Sequence, residues 1–266
     1  MVRMGMLKEV WARRDFMWSS VKREFASRWI RTQLGPIWLI VQPLATIVIF
    51  TVIFVNIMRP GMPSHESKFA YSIYLCAGVL SYNLFAEMLG RGVAVFVENA
   101  NLLKKISFPK LCLPVIVMVS TLLNFAVTMT LFTGFLLLAQ VFPGWVVLAA
   151  LPVLLVQVVF TMGMGMFLAC INVFYRDVQQ MVQVVLQFWF WLTPIVYIPA
   201  TLPAWVIDLL DWNPLFPLIR AYQGIFLDHA VPNWSSLWYP GLLGIVCAAL
   251  GIFAFARLQG EIVDAL

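Results

Sequence analysis

The sequence predicts an all-α membrane protein with six transmembrane helices, an N-terminal amphipathic interface helix, and short re-entrant helices before the last span. The chain is 62% hydrophobic and only 11% charged, whereas soluble domains are about half apolar and about a quarter charged. Apolar runs of about 20 residues, the length that spans a bilayer, recur along it. Basic residues cluster beside these runs, which is typical of topology signals and not of nucleic-acid binding.

The first 36 residues are predicted to form a cytoplasmic interface segment. Over 7–31, apolar side chains recur at helical spacing and basic side chains fall largely between them, a pattern typical of a basic amphipathic helix. Such a helix lies in the membrane interface or docks on protein, and the sequence favours the interface. Because the first apolar run starts only near Ile37, we expect no signal peptide. The apolar positions are Leu7, Trp11, Trp18, Val21, Phe25 and Trp29.

One transmembrane domain is predicted over 37–257, followed by a cytoplasmic tail over 258–266. With the N-terminus inside, the cytoplasmic segments carry fourteen of the 17 Lys and Arg residues. The positive-inside rule therefore places both termini in the cytoplasm. The expected spans are about 37–57, 69–89, 111–138, 145–171, 178–198 and 238–256.

Residues 199–237 are apolar but too often interrupted by proline to form a span. We expect two short helices there, around 203–210 and 214–227, that dip into the outer leaflet. Irregular backbone at that depth is stable only where protein or a water-filled cavity covers it.

Motifs of soluble catalysts are missing from the sequence. No glycine is followed by lysine, so there is no GxxxxGK(S/T) phosphate-binding loop, and neither HExxH nor GxSxG occurs. The two histidines lie in predicted outer loops, and the four cysteines sit in or beside spans without CxxC spacing. We therefore expect no catalytic residue, no metal site and no cofactor in this chain.

A stripe of glutamines crosses the fifth predicted span. Gln180, Gln183 and Gln187 are spaced i, i+3, i+7, and Trp191 continues the same helix face. Amides lose hydrogen bonds against lipid, so this face is expected to meet other helices or an aqueous path. Hydrogen bonding between helices explains the stripe as well as a path does.

An aromatic stripe crosses the second predicted span, where Tyr71, Tyr74, Tyr82 and Phe85 share a face. Aromatic rings stack on the apolar faces of sugar rings, so this stripe suits a glycan path, although core packing explains any single tyrosine at least as well. The predicted channel-lining residues are Tyr74, Tyr82, Gln183, Gln187 and Trp191.

The last span carries small residues on one face, at Gly244, Ala248 and Gly251. Such a face lets a second helix approach closely. The pattern is common, so it predicts close packing and no particular function.

Residues 99–110 form a short basic segment between two long apolar runs, in a predicted cytoplasmic loop at about 90–110. Its lysines need water while both flanks need lipid. A soluble partner could therefore pull on the membrane part through this loop.

Several local strings follow one another in order along the predicted frame. They are SRWIRTQLGPIW at 27–38, QP at 42–43, ENANLLKK at 98–105 with FP at 108–109, NVFYRD at 172–177, WLTPI at 191–195 and NP at 213–214. Together they resemble the membrane subunit of ABC-2 type exporters, and the polysaccharide-export branch in particular. The resemblance covers nearly the whole chain.

The resemblance implies a transport subunit and not an enzyme. It implies a homodimeric channel in the bacterial inner membrane, driven by two separate ABC subunits that bind ATP and Mg and hydrolyse the ATP. The implied substrate is a lipid-linked polysaccharide, most closely O-antigen, with capsule and teichoic-acid polymers as near alternatives. Coupling contacts would fall at about 98–108 and 172–178. The coupling residues would be Asn99, Asn101, Leu102, Leu103, Lys104, Lys105, Phe108, Phe174, Tyr175, Arg176 and Asp177.

Three other interpretations remain open at this point. An exporter of the same fold could carry a drug or a small lipid. A membrane-bound glycan-modifying enzyme would need clustered His, Asp or Glu at a membrane face, which the sequence does not show. A scaffold without a transported substrate would not need a stripe of glutamines in a span.

Overall fold

A computed structural model describes residues 14–29, 35–58, 67–105, 109–199 and 202–262, and the regular structure in these ranges is helical without strands. A π-helical turn, Ile53–Met58, directly follows the α-helix Trp38–Val52, and 3-10 turns lie at Gly35–Ile37 and Gly144–Ala149. The α-helices are α1 (Arg14–Trp29), α2 (Trp38–Val52), α3 (Ala70–Glu98), α4 (Ala100–Lys105), α5 (Cys112–Leu138), α6 (Ala150–Phe174), α7 (Asp177–Leu192), α8 (Ala204–Leu210), α9 (Leu215–Phe226) and α10 (Trp234–Leu258).

Helix α3 is the centre of the molecule. It packs against α2, α5, α6, α7 and α9, and most of its side chains are buried. We expected this span to end near residue 89, but the helix continues to Glu98. The extra turns are buried too, because Val95 and Phe96 join a second apolar cluster with Phe255 of α10. Packing against neighbouring helices therefore extends α3 into the predicted cytoplasmic loop.

Helices α6 and α10 pack closely through glycines. A Cβ atom added at Gly163 would lie 2.7 Å from the Cα atom of Ala248, and one at Gly251 would lie 2.8 Å from the carbonyl oxygen of Gly163. A Cβ at Gly244 would lie 3.0 Å from the backbone nitrogen of Phe160. The close approach predicted from the small-residue face of the last span is confirmed, and its partner is α6.

The all-α membrane fold is confirmed, but the number of spans is not. Five helices in the described ranges are long and apolar enough to cross a bilayer. Helix α7, in the fifth predicted span, has only 16 residues and ends at Leu192. It ends there because the residue before a proline disfavours helical backbone and Pro194 has no N–H to donate. That the chain crosses six times stays a prediction.

The two short helices predicted between the last spans are present as α8 and α9. Helix α9 buries most of its side chains against α3 and α6. Its Gln223 side-chain nitrogen lies 3.0 Å from where a Cβ of Gly78 would be. Gly78 is eight residues into α3, roughly 12 Å along the helix axis. Helix α9 therefore reaches well below the end of α3, as a re-entrant helix would.

Helix α1 docks on protein. It packs against α5, where Val21 is buried. Trp18, in contrast, is half exposed, and the Lys22 ammonium lies 5.6 Å from the centre of its ring. Of the two predicted placements, contact with protein is the one that the structure contains, and contact with lipid stays a prediction.

Candidate functional site

A cavity of about 1260 Å3 opens between α2, α3, α5 and α7. Its volume is larger than that of common small-molecule sites, which is about 300–1,000 Å3. Its lining combines polar and aromatic side chains in the middle of apolar helices. The polar residues are Gln42, Thr46, Asn83, Glu87, Arg91, Glu98, Thr121, Asn124, Thr128, Gln179, Gln180, Gln183 and Gln187, and the aromatic ones are Trp38, Tyr82, Phe125, Phe190 and Trp191.

Polar residues at helical spacing form stripes on three of the four helices. The glutamine stripe of α7 was predicted, but those of α3 and α5 were not. The sequence signal is the same in all three cases, because each stripe repeats every three or four residues inside an apolar run. The two further stripes are Asn83, Glu87 and Arg91 on α3, and Thr121, Asn124 and Thr128 on α5.

The predicted channel-lining residues of α7 all face this cavity. Gln183, Gln187 and Trp191 line it, and 61% of Trp191 is exposed. Gly90 of α3 makes room for this face, because a Cβ there would lie 2.8 Å from the side-chain nitrogen of Gln183. Helix α7 thus brings its amides to the cavity, and Gln183 also packs against α3 at Gly90.

The two predicted channel tyrosines differ. Tyr82 lines the cavity; its hydroxyl donates to the carbonyl of Leu186, and its ring centroid lies 5.2 Å from that of Phe190. Tyr74 does not line the cavity, since its side chain is 0% exposed. Its hydroxyl is shared between the carbonyls of Pro194 and Tyr197, at 3.0 and 2.9 Å. The channel prediction for Tyr74 is therefore not supported, because the residue holds the segment after α7.

The irregular segment after α7 is fixed by side-chain hydrogen bonds. Asn213 donates to the Thr193 hydroxyl at 2.9 Å and accepts from the indole N–H of Trp189 at 2.9 Å and the backbone N–H of Leu215 at 3.0 Å. On the other side, Tyr71 donates to the carbonyl of Val196. The bonds to the Leu215 N–H and the Val196 carbonyl satisfy backbone groups that no helix pairs, as a buried break requires.

Charge gathers at one end of the cavity. Arg91 forms an ion pair with Glu24 of α1 and a second, at 3.3 Å, with Glu87 one turn earlier on α3. Asn124 donates to Glu87 at 2.9 Å, and the Ser120 hydroxyl lies 3.3 Å from Glu24. The cluster connects α1, α3 and α5. None of these residues was singled out from the sequence as a site residue.

The predicted coupling segment begins directly at the end of α3. The Asn99 side chain donates to the carbonyl of Val95 at 2.8 Å, and α4 follows. Leu103 is only 7% exposed and belongs to the second apolar cluster, so it anchors α4 and is not available to a partner. Asn101 and Lys104 are exposed, and Leu102 is partly buried. The side chain of Lys105 and all of Phe108 lie outside the described residues.

The second predicted coupling contact is the turn between α6 and α7. Phe174, Tyr175, Arg176 and Asp177 are all exposed, with Tyr175 at 70%. Asn172 holds this turn in place: it donates to the carbonyl of Val93 at 3.1 Å and accepts from the backbone N–H of Gln179 at 3.0 Å. Because Val93 is near the end of α3, both predicted coupling segments lie at the same end of the helices.

No metal centre is present in the described part of the chain, where no three His, Cys, Asp or Glu side chains come together. The four cysteines are free, and only Cys247 is partly exposed.

Comparison with known proteins shows which family this chain belongs to. The family model described as ABC-2 type transporter matches residues 16–227. The O-antigen export system permease protein RfbA of Myxococcus xanthus is 29% identical over 95% of this chain and 96% of its own length. An RfbA protein of Klebsiella pneumoniae is 24% identical over 95% of both chains. The polysialic acid transport protein KpsM of Escherichia coli is 21% identical over 90% of this chain and 91% of its own. The chain belongs to the ABC-2 type transporter family.

Proposed function

We propose that this protein is the membrane-spanning subunit of an ATP-driven exporter that moves a lipid-linked polysaccharide, O-antigen in the first place, across the bacterial inner membrane. The observation that carries the proposal is the cavity between α2, α3, α5 and α7, with its amides, hydroxyls and aromatic rings. The relatives named for O-antigen export support the substrate class. The relative named for polysialic acid transport favours capsule polymer as the second candidate.

The lining chemistry suits a sliding sugar chain. Amide side chains such as Gln183 and Gln187 offer donors and acceptors to sugar hydroxyls, and rings such as Trp191 offer flat apolar surfaces. Each contact is weak and can be exchanged for the next one along the polymer. An aliphatic wall would leave the hydroxyls unpaired, which is costly away from bulk water.

A second copy of this chain would close the path. Helices α2 and α7 both line the cavity, and both carry many exposed side chains within one protomer. Helix α2 is especially poorly covered within one protomer, with Ile47 as its one buried residue. Two protomers facing each other would convert two open cavities into one channel, with membrane lipid around the outside.

Energy would enter at the end of the molecule that carries α4 and the turn at 174–177. Two ABC subunits would bind ATP and Mg there and hydrolyse the ATP, and their closure would move these exposed segments. Asn101, Lys104, Tyr175 and Arg176 present the side chains for that contact. Because Asn172 links the turn to α3, a push on the turn would reach the helices that line the cavity.

The test is the fate of the polymer when this chain is removed. In a deletion strain of the native host, the lipid-linked polymer should accumulate inside the cell and disappear from the surface. A plasmid copy of the chain should restore surface polymer. Normal surface polymer in the deletion strain, with no internal accumulation, would overturn the proposal.

A further inference from the structure

We infer that the segment after α10, residues 259–262, positions the short helix α4 for energy transfer, with Ile262 as the positioning residue. The inference rests on the proposed function and deepens it, because α4 is one of the segments on which the ATP-binding subunits are proposed to act. The sequence alone indicated only that these residues belong to a cytoplasmic tail.

Helix α4 is too short to hold its own place. It has six residues, Ala100–Lys105, and isolated helices shorter than about 12 residues are marginal in water. Its position therefore depends on contacts with other helices. Leu103 provides such a contact, because it is buried in the second apolar cluster, and Leu102 packs against the same cluster. A push on α4 can move the membrane helices only if this cluster holds α4 firmly.

Ile262 is a fully buried member of that cluster. Its side chain is 0% exposed, although it lies beyond the end of α10 and its neighbour Glu261 is exposed. The cluster draws residues from α3, α4, α5, α6 and α10, and Ile262 joins them from the segment after α10. The members are Val95, Phe96, Leu103, Leu113, Val117, Met166, Ala169, Cys170, Val173, Phe255 and Ile262.

A hydrogen bond ties the same segment to the chain on the far side of α4. The Lys110 ammonium, just before α5, donates to the backbone carbonyl of Gln259. Gln259 and Ile262 are three residues apart, so at most about 11 Å separates their Cα atoms. The segment therefore contacts the chain just after the predicted coupling segment through Gln259, and it shares a cluster with α4 through Ile262.

These contacts make the segment part of the base on which α4 rests. Replacing Ile262 by alanine would leave a cavity in the cluster, and surrounding side chains relax into such a cavity only partly. Helix α4 would then move more freely relative to α3, α6 and α10. Movement imposed by the ATP-binding subunits would be lost at this base, and less of it would reach the helices that line the cavity.

The first measurement follows α4 by thiol labelling of the purified complete exporter. In a Cys247→Ala background the remaining native cysteines of this chain are buried, so a Leu102→Cys thiol reports on α4. Ile262→Ala should raise its labelling rate about threefold or more, because local opening exposes the thiol more often. The matched control is Ile225→Ala, which truncates an equally buried isoleucine in α9. It should lower the melting temperature similarly and leave the labelling rate within about twofold of the native rate.

The second measurement separates positioning from stability. The purified Ile262→Ala exporter should hydrolyse ATP within about twofold of the native rate, while surface polymer in the native host falls about threefold or more. A loss of folded protein, in contrast, would lower both quantities together, and Ile225→Ala shows the size of that effect. Membrane levels and copurification of the ATP-binding subunits are measured for every variant.

Ile262→Val is the milder variant, since it removes a single methylene from the cluster. Its labelling rate and export should lie between those of the native protein and Ile262→Ala, and it decides the matter if Ile262→Ala does not assemble. A native labelling rate in the Ile262 variants, or an equal rise in Ile225→Ala, would overturn the inference. ATP hydrolysis that falls in step with export would overturn it too. Surface polymer that does not depend on this chain at all would overturn the proposed function instead, and the deletion strain already shows that outcome.

Discussion

Asn213 shows how one side chain can hold a break in a membrane helix. It pairs with Trp189 and Thr193 of the α7 end and with the first turn of α9. Asn213→Ala removes these bonds at once and leaves buried partners unpaired, so the free energy of unfolding should fall by about 1–2 kcal/mol. Thermal unfolding of the purified protein in detergent measures this.

The matched variant is Asn213→Asp, which can still accept from Trp189 and Leu215 but can no longer donate to Thr193. Its melting temperature should lie between those of the native protein and Asn213→Ala. Equal melting temperatures for native protein and Asn213→Ala would show that these bonds do not support the fold.

The cavity-facing side of α7 can be mapped by thiol labelling. In a variant without native cysteines, Gln183→Cys, Gln187→Cys and Trp191→Cys should react with a membrane-impermeant maleimide because their side chains reach the aqueous cavity. Met181→Cys and Phe188→Cys are the controls, since these exposed side chains lie outside the cavity lining and should meet lipid. We expect at least tenfold slower labelling of the controls, because a thiol reacts as its thiolate, which hydrocarbon excludes.

Equal labelling rates at all five positions would contradict the cavity assignment and leave helix packing as the reason for the glutamines. Phe190 is not a suitable control. Although it differs in register from the glutamine stripe, its ring lines the cavity beside Tyr82.

Residue type alone could not separate the two channel tyrosines. Tyr74 and Tyr82 lie eight residues apart on one helix face, so periodicity treats them alike. What separates them is the chain that covers α3 at each level. Irregular backbone at 193–197 buries Tyr74 and takes its hydroxyl, whereas the cavity begins at the level of Tyr82. Contacts between segments about 120 residues apart have no signature in the local sequence.

At the level of elements, the α6–α10 contact depends on the absence of side chains. Gly163→Ala would push a methyl group into the backbone of Ala248, which cannot move without separating the two helices. Overpacking of this kind lowers the free energy of unfolding by about 1–3 kcal/mol. The variant should therefore show a lower melting temperature and a lower membrane level.

Gly134→Ala is the control for this prediction. Gly134 lies in α5, and an added Cβ would have no neighbour within 4 Å. Alanine has a higher helix propensity than glycine, so this change should be neutral or should stabilise the protein by up to about 1 kcal/mol. A Gly163→Ala protein as stable as Gly134→Ala would mean that α6 and α10 are not held at this distance.

The short helix α4 offers a direct test of coupling. Lys104→Glu reverses an exposed charge on α4 without touching Leu103, which is buried and would disrupt the fold if replaced. Charge reversal at a contact rim weakens the approach of a partner, so ATP-driven export should fall roughly threefold to tenfold. Surface polymer and copurification of the ATP-binding subunits are the measurements.

Lys68→Glu is the control, because Lys68 is an exposed lysine just before α3, at the opposite end of that helix from α4. It should leave export and copurification unchanged. If the Lys104→Glu variant exports polymer at the native level and the complex stays assembled, α4 is not part of the proposed path of energy transfer.

Element boundaries were predictable where hydropathy decides them and not where packing does. The third predicted span, 111–138, is α5 at Cys112–Leu138, so the helix and the apolar run coincide there. Helix α3 runs nine residues further than expected because the second apolar cluster covers its last turns. Helix α7 is shorter than its apolar run because Pro194 ends the helix. A hydropathy profile does not detect that end, since the run stays apolar across the proline.

At the scale of the whole molecule, the parts proposed to meet water and partners gather at one end. There Glu24 of α1 meets Arg91 of α3, and the Lys110 ammonium donates to the carbonyl of Gln259 after α10. The turn at 174–177 and helix α4 complete this end. The charge asymmetry of the sequence already predicted that these segments share one side of the membrane. The cavity was not predictable as a whole, because three polar stripes become one site only when helices distant in sequence are packed together.

Whether α7 crosses the membrane decides the topology of the molecule. Its 16 residues span roughly 24 Å as a helix, less than the about 30 Å of a bilayer core. However, α7 and the irregular segment after it run antiparallel along α3 from Gly90 to Tyr71, nineteen residues or roughly 28 Å. From Gly90 to Tyr71 along α3, the contacts are Gln183 with Gly90, Trp189 with Phe85, Leu186 with Tyr82, Pro194 with Tyr74 and Val196 with Tyr71.

Since α3 is long and apolar enough to span the bilayer, a segment that accompanies it over that distance should span it too. The irregular backbone at 193–197 then completes the crossing that α7 begins, and its carbonyls at Pro194, Val196 and Tyr197 accept hydrogen bonds from the side chains of Tyr74 and Tyr71. Six crossings place both termini on one side. Activity reporters fused before Met1 and after Leu266 should both give the cytoplasmic signal, and one inserted at His229, between α9 and α10, should give the periplasmic signal. If the chain crossed only five times, the two terminal reporters would give opposite signals, and the proposed delivery of energy and substrate from one side would lose its geometry.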